Sequence, residues 1–450
     1  MQEYLNAVAE QIRWKRARPV VLRELAQHLS DQREAFFWEE DCTAEEAERM
    51  AVEEMGDPVS VGMELDRVHR PKPQWGLLLW AAALAVAGVV LRMWLTAGSE
   101  AFYVFLRPER MILSLVLGCA LMVGMYLLDY TFLLRYAPWV YAVSMAVCLL
   151  MLKISPRING ASYYTRILAY FLPMAYAVWL YTCRGKGWQG FILAIAGGMM
   201  PVLICMLAPC IPALFILLVS GLVLLLYAVW SGWLGDEHKI GMTAAAGGIV
   251  LVCVSVCANA MMEGYFDGRL LALLHPERDP LGVGYQALML RKALESSVWW
   301  GQGSWPAGER YPFELAVPNW ESDCFLTTVI YRLGWGPFLL LTAAFAVLMG
   351  WMLYRGLRQK SRPAKLLVFA AVLLMSLQGI FSVVLNLGFV LFNAGMPLVM
   401  GNLQTVLNLA LVGLVLSVFR GDAISREPMT ERKRVSQRKR LRVRLVCEWV

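Results

Sequence analysis

The stretch 211-IPALFILLVSGLVLLLYAVW-230 decides the fold class, because twenty residues pass without one Asp, Glu, Lys or Arg. A helix rises about 1.5 Å per residue, so roughly twenty apolar residues cross the hydrocarbon layer of a bilayer. Working outward, similar stretches occupy 75–95, 109–128, 136–154, 163–183, 189–208, 241–262, 323–353, 365–392 and 397–419. The expected fold is therefore all-α: a polytopic membrane protein of about ten transmembrane helices. The eighth and ninth stretches are long enough to tilt or to run beyond the hydrocarbon. Pro173, Pro201, Pro212 and Pro397 lie within or near span ends, where membrane helices tolerate them. Composition agrees, since 59% of the 450 residues are hydrophobic and 17% are charged, against about one quarter charged in soluble domains.

The charges sit in blocks. Residues 1–73 hold 10 Lys plus Arg against 16 Asp plus Glu, while residues 420–450 hold 10 against 4. The net charge of +7 thus sums unlike segments and gives no reason to expect a nucleic-acid partner. The start of the chain is no secretory signal, because Glu3, Glu10, Arg13, Lys15 and Arg16 interrupt it. Arg355, Arg358, Lys360, Arg362 and Lys365 lie between the eighth and ninth spans, and Arg184 and Lys186 follow the fourth. By the positive-inside rule these segments and both termini are cytoplasmic, and 263–322 is a large outer loop. Arg107, Arg110 and Arg157 run against this pattern without reversing it. The basic tail, 421–450, fits an orientation-setting flank or contact with anionic membrane lipids.

Residues 1–73 are expected to be a small helical cytoplasmic domain. Tyr4, Val8 and Ile12 mark a first helix, and Leu22, Leu25, Leu29 and Phe36 a second. Thr43 followed by Glu46 is a capping-box signature for a third, which the Gly56-Asp57-Pro58 turn ends before a short helix through Val61 and Leu65. "RELAQHL" and "AEEAERMAVEEMGDP" resemble the prefix domain found ahead of permease-like membrane proteins. That resemblance implies regulation or partner docking. The ten cysteines are scattered, and those at 119, 148, 253 and 257 lie in apolar runs without paired histidines. They read as small buried apolar residues and not as metal ligands.

Polar chemistry concentrates in the outer loop and at its end. Leu288, Ala293, Leu294 and Val298 can line an amphipathic surface helix, and Trp299, Trp300 and Trp305 suit the head-group layer. Asp323 opens the eighth apolar stretch, where a carboxylate faces exposed amide groups.

The pieces "HPERDPLGVGYQ", "ALESSVWWGQG" and "VPNWESDCFL" resemble, in order and spacing, "DPxxDPLGSGYQ", "AIGSGGLFGKG" and "LPEAHTDFIF" of the FtsW/RodA/SpoVE (SEDS) family. Asp279, Pro280, Gly282, Gly284, Tyr285, Gln286, Gly301 and Gly303 match. "INGASYYTRILAYF" is similar to the family's "INGARRWI" region through Asn159 and Gly160, and Asn386 matches a polar position of the ninth span. The likeness runs over the ten-span segment 74–420.

It implies a peptidoglycan glycosyltransferase that polymerises lipid II at the outer face of the bacterial cytoplasmic membrane, beside a single-span class B penicillin-binding transpeptidase. The essential aspartate of "HTD" falls on Asp323, which makes it the catalytic carboxylate. Positive charge for the diphosphate would come from Arg291, Lys292 or Arg310, or from a bound divalent cation (Mg or Mn), with Gln286 and Asn386 as further substrate contacts. No other cofactor is implied. Several motifs are altered: the family's "QPDLGTA" reads "APCIPA" with Cys210, "PFVSYGGSS" reads "PLVMGNLQT", and "EE" reads Tyr331-Arg332. Those changes leave open a non-catalytic scaffold that regulates a cell-wall synthase. A lipid or solute transporter, which should carry broken helices or mid-membrane charges, is the third reading.

Overall fold

The computed structural model describes residues 1–15, 17–39, 43–71, 73–97, 107–158, 161–235, 238–261, 268, 272–308, 310–391 and 393–421. Asn159, Gly160 and the basic tail lie outside the described residues. The chain divides into two compact units, one built on residues 1–74 and one on 75–359 with 363–418.

The first unit has four helices: α1 (Gln2–Gln11), α2 (Arg18–Glu39), α3 (Ala44–Met55) and α4 (Pro58–His69). Its core joins Tyr4, Leu5, Val8 and Ile12 to Val21, Leu25, Leu29 and Ala51. The Thr43 hydroxyl accepts from the Glu46 amide while the Glu46 carboxylate accepts from the Thr43 amide at 3.0 Å, a complete capping box. Gly56, at φ +82°, ends α3, and Asp57 then caps α4 by accepting from the Ser60 amide at 2.9 Å.

The second unit begins with α5 (Trp75–Thr96), α6 (Pro108–Leu127), α7 (Tyr130–Arg135) and α8 (Ala137–Ile154). A two-residue pairing of Arg157–Ile158 with Ala161–Ser162 precedes α9 (Tyr163–Ala169) and α10 (Leu172–Thr182). Then follow α11 (Gly187–Leu207), α12 (Ile211–Trp230) and α13 (Lys239–Met261). After the loop come α14 (Tyr285–Glu295), α15 (Phe313–Ala316), α16 (Phe325–Leu333), α17 (Trp335–Leu357), α18 (Arg362–Asn386) and α19 (Leu403–Gly421). Among the described residues, nine helices are long and apolar enough to cross a membrane: α5, α6, α8, α11, α12, α13, α17, α18 and α19. The all-α polytopic expectation holds. The ninth span ends at Asn386, short of 392, and three other boundaries also need correction.

The stretch 163–183 is not one continuous helix. Pro173 brings no amide hydrogen for the preceding turn, so the chain starts afresh at Leu172 as α10. The stretch 323–353 divides at Gly334, whose φ of +101° no side chain tolerates comfortably. The nine-residue α16 ends there and α17 begins. The tenth stretch becomes helical only at Leu403, leaving 397–402 as irregular backbone.

Candidate active site

Asp323 lies in the turn just ahead of α16, outside the nine spanning helices. Asn319 makes that turn at φ +54°, an angle Asn adopts more readily than most residues. Its carbonyl accepts from the Ser322 and Cys324 amides at 2.9 and 3.0 Å. Thr328 Oγ1 ties the turn to α16 by donating to the Trp320 carbonyl at 2.6 Å.

Asn386, the last residue of α18, fixes the turn from the other side. Its Nδ2 donates to the Asp323 carbonyl at 2.9 Å and to the Ser382 carbonyl at 2.7 Å. Its Oδ1 accepts from the Thr327 amide at 2.7 Å and sits 2.9 Å from the Thr327 hydroxyl. The side chain is 0% exposed. The residue expected to touch substrate thus spends its amide on holding Asp323.

Positive charge reaches Asp323 from two directions. Arg92 of α5 is 3% exposed; its Nε donates to the Glu321 carbonyl at 2.6 Å and its Nη1 to the Met400 carbonyl. Arg166 of α9 lies partly buried, with its guanidinium 5.9 Å from the Tyr163 ring centre. Burial pushes the Asp323 carboxyl above the ordinary carboxylate range, and the charges of Arg166 and Arg92 oppose that rise. Neither arginine was singled out in the sequence. The signal was there, because each is a lone arginine inside an otherwise apolar stretch, where a charge is costly.

Arg291, Lys292 and Arg310 are placed differently. Arg291 of α14 donates to the Leu273 carbonyl at 3.2 Å, lies 3.8 Å from the Glu277 carboxylate and covers the Phe389 ring. Lys292 is the next residue of the same helix and is partly buried. Arg310 is exposed, with its guanidinium over Tyr311. The charges acting on Asp323 are those of Arg166 and Arg92 instead. Gln286 does come close, donating from Nε2 to Cys324 Sγ at 3.2 Å.

The other matched loop residues build the loop itself. Asp279 accepts from the Gly282 and Val283 amides at 3.0 and 2.9 Å, forming the turn that Pro280 enters. Gly282 has no room for a β-carbon beside that carboxylate, nor Gly284 beside the Pro276 carbonyl. Tyr285 donates to the Ala316 carbonyl at 2.9 Å. The amides of Gly301 and Gly303 donate to Leu333 and Tyr331 carbonyls at 2.9 and 2.7 Å, sewing the loop to the end of α16.

The altered motifs have found local partners. Arg332 pairs with Glu314 of α15 at 2.5 Å, covers the Trp320 ring and donates to the Leu95 carbonyl. Tyr331 stacks on Phe313 with ring centres 4.3 Å apart. Asn402 caps α19 by accepting from the Thr405 amide at 3.1 Å. Gln404 and Asn408 both donate to Gln378 Oε1, at 3.0 and 3.1 Å. Cys210 is buried and lies within the field of the Arg166 charge.

No group of three or more His, Cys, Asp or Glu side chains among the described residues is arranged to hold a metal ion. At this site Glu321 and Asp323 are the neighbouring carboxylates, and both act on the Arg92 guanidinium. Among the described residues, the side chains at this site do not form a protein cage for a divalent cation.

The family model described as "Cell cycle protein" (FtsW/RodA/SpoVE) matches residues 74–423. The chain belongs to the FtsW/RodA/SpoVE family. Among curated relatives, the peptidoglycan glycosyltransferase MrdB of Escherichia coli K12 is 25% identical over 225 residues, 49% of this chain and 57% of that protein. The Shigella flexneri MrdB matches to the same extent. The aligned region thus spans 57% of the length of these relatives. Among solved structures, a chain of a peptidoglycan synthase complex, described as coordinating polymerization and crosslinking, superposes with a TM-score of 0.59 at 21% identity. It covers 77% of this chain and 98% of that one. A variant of the rod shape determining protein RodA from Thermus thermophilus gives a TM-score of 0.52 at 16% identity, over 78% and 98%. At these identities the structures establish that this FtsW/RodA/SpoVE member shares the fold. The multi-pass membrane character follows from family and helices together.

Proposed function

We propose that this protein is a peptidoglycan glycosyltransferase that polymerises lipid II into glycan strands at the outer face of the bacterial cytoplasmic membrane. The observation that carries the reading is the Asp323 carboxyl, held by Asn386 through its own backbone and placed in the field of two arginines. In this reading the acceptor sugar hydroxyl attacks the anomeric carbon of the lipid-linked donor. The new glycosidic C–O bond forms as the C–O bond to the diphosphate breaks. Asp323 takes the attacking hydroxyl's proton, and Arg92 and Arg166 stabilise negative charge on the departing diphosphate. No step is assigned to a metal ion.

Both termini would be cytoplasmic, and the 263–322 loop would face outward, where a single-span transpeptidase could consume the new strands. Residues 1–73 would act as a docking or regulatory domain. The altered motifs favour a second reading, a non-catalytic scaffold: Arg332, at a position where the family pattern has an acid, is engaged by Glu314 and Trp320. The deciding experiment incubates the purified full chain, alone and with a single-span transpeptidase, with lipid II. Glycan strands formed by wild type and not by Asp323→Asn support the polymerase. Absence of strands from folded wild type in both conditions supports the scaffold.

A further inference from the structure

Gln378 and Ser382 of α18 and Asn408 of α19 are each 0% exposed. Each keeps one polar atom with no hydrogen-bond partner among the described residues: Gln378 Nε2, Ser382 Oγ and Asn408 Oδ1. The other polar atoms of the two amides are paired. Gln378 Oε1 accepts from Gln404 Nε2 at 3.0 Å and from Asn408 Nδ2 at 3.1 Å. The unpartnered donor of Gln378 and the unpartnered acceptor of Asn408 therefore sit on planar amides already joined to each other. Ser382 follows Gln378 by four residues, which puts both on one face of α18.

Turning the amides end for end does not remove the demand. Reversing Gln378 alone sets its Nε2 against two donors, and reversing Asn408 alone sets its Oδ1 against Gln378 Oε1. Reversing Gln378, Gln404 and Asn408 together restores both bonds and only exchanges the roles, so one donor and one acceptor still lack partners. Leaving both unmade inside the protein costs the desolvation of each group. The two needs are opposite, and that selects the ligand. A cation would meet the Gln378 N–H group, and an anion would meet the Asn408 oxygen. Water both donates and accepts, and buried waters make about three hydrogen bonds to groups of this kind.

We propose that α18 and α19 bind one internal water molecule, which accepts from Gln378 Nε2 and donates to Asn408 Oδ1 and Ser382 Oγ. The site lies on the helix face that carries the Asp323 clamp, since Gln378, Ser382 and Asn386 follow one another at intervals of four residues. Gln378 stands eight residues before Asn386, about 12 Å along the helix axis. The water is thus separate from Asp323 and does not depend on the activity proposed above.

The test is solid-state NMR on the full chain in bilayers, isotope-labelled at the Asn and Gln side-chain nitrogens, reading magnetisation transfer from water to each side-chain amide. Gln378→Met identifies the Gln378 signal by removing it. Wild type should show a water cross-peak at the Gln378 amide. The Asn386 amide is the internal control, because its Nδ2 already donates to the Asp323 and Ser382 carbonyls; it should show none. Asn408→Leu removes the acceptor and should abolish the Gln378 cross-peak. Ser382→Ala removes one hydroxyl with no protein partner and should weaken it, which keeps the test open if Asn408→Leu fails to fold. An unmoved Asn386 signal shows that a variant keeps its fold. Transfer at Gln378 no greater than at Asn386 in wild type overturns the proposal. So does undiminished transfer at Gln378 in the folded variants.

Discussion

Asn386 Nδ2 donates to the main-chain carbonyl of Asp323 at 2.9 Å, across 63 residues of sequence. The same side chain accepts from the Thr327 amide at 2.7 Å. One amide therefore joins the end of α18 to both the turn that carries Asp323 and the first turn of α16. Asn386→Leu would leave a buried amide and a buried carbonyl unpaired. It should destabilise the protein by roughly 1–3 kcal/mol and lower the turnover number more than it raises KM. Thermal denaturation in detergent and steady-state glycan synthesis measure the two effects. A fully active, equally stable variant would remove the clamp from the account.

Asp323→Asn keeps size and most hydrogen bonding but has no useful proton affinity. Polymerisation should fall by on the order of 100-fold or more while membrane insertion is unchanged. Product formed per unit time by equal amounts of folded protein is the measurement. Equal rates for the two proteins refute the general base.

The pH profile carries the electrostatic reading. A general base works ionised, so activity should rise with pH through the Asp323 pKa, which burial sets above the ordinary carboxylate range. Arg92 opposes that rise, so Arg92→Gln should move the acid limb to higher pH, and Arg92→Lys should move it less. A role confined to holding the Glu321 and Met400 carbonyls would lower activity at every pH without shifting the limb.

Glu314 and Arg332 are 37% and 23% exposed at their side chains, so solvent weakens their pairing. A double-mutant cycle of Glu314→Gln and Arg332→Met should return a coupling of about 1 kcal/mol or less by thermal denaturation. A coupling several times larger would mean that the pair is effectively desolvated.

In the first unit, Thr43→Ala removes the hydroxyl that accepts from the Glu46 amide. It should cost about 1 kcal/mol of that unit's stability and leave the glycan synthesis proposed for the second unit unchanged. Limited proteolysis of residues 1–74, followed on the full chain, reads the loss.

Much of this protein was determined by local sequence. An apolar run of twenty residues must satisfy its backbone within itself in hydrocarbon, so helices at 211–230 and its counterparts follow from composition alone. The Thr43–Glu46 capping box is equally local, because its partners lie three residues apart. The matched loop pieces, with Asp279 turning back on Gly282 and Val283, also spoke for themselves. Hydropathy sums apolar character without sensing where hydrogen bonding stops. It therefore passed smoothly over the break before Pro173 and the positive φ at Gly334. The site's electrostatics were decided only in three dimensions. Arg92 and Arg166 stand 231 and 157 residues before Asp323 in the chain, and helix packing alone brings their charge to its carboxyl. The same packing turned Asn386 from a presumed substrate contact into a clamp, because four of its neighbours' polar groups reached it first.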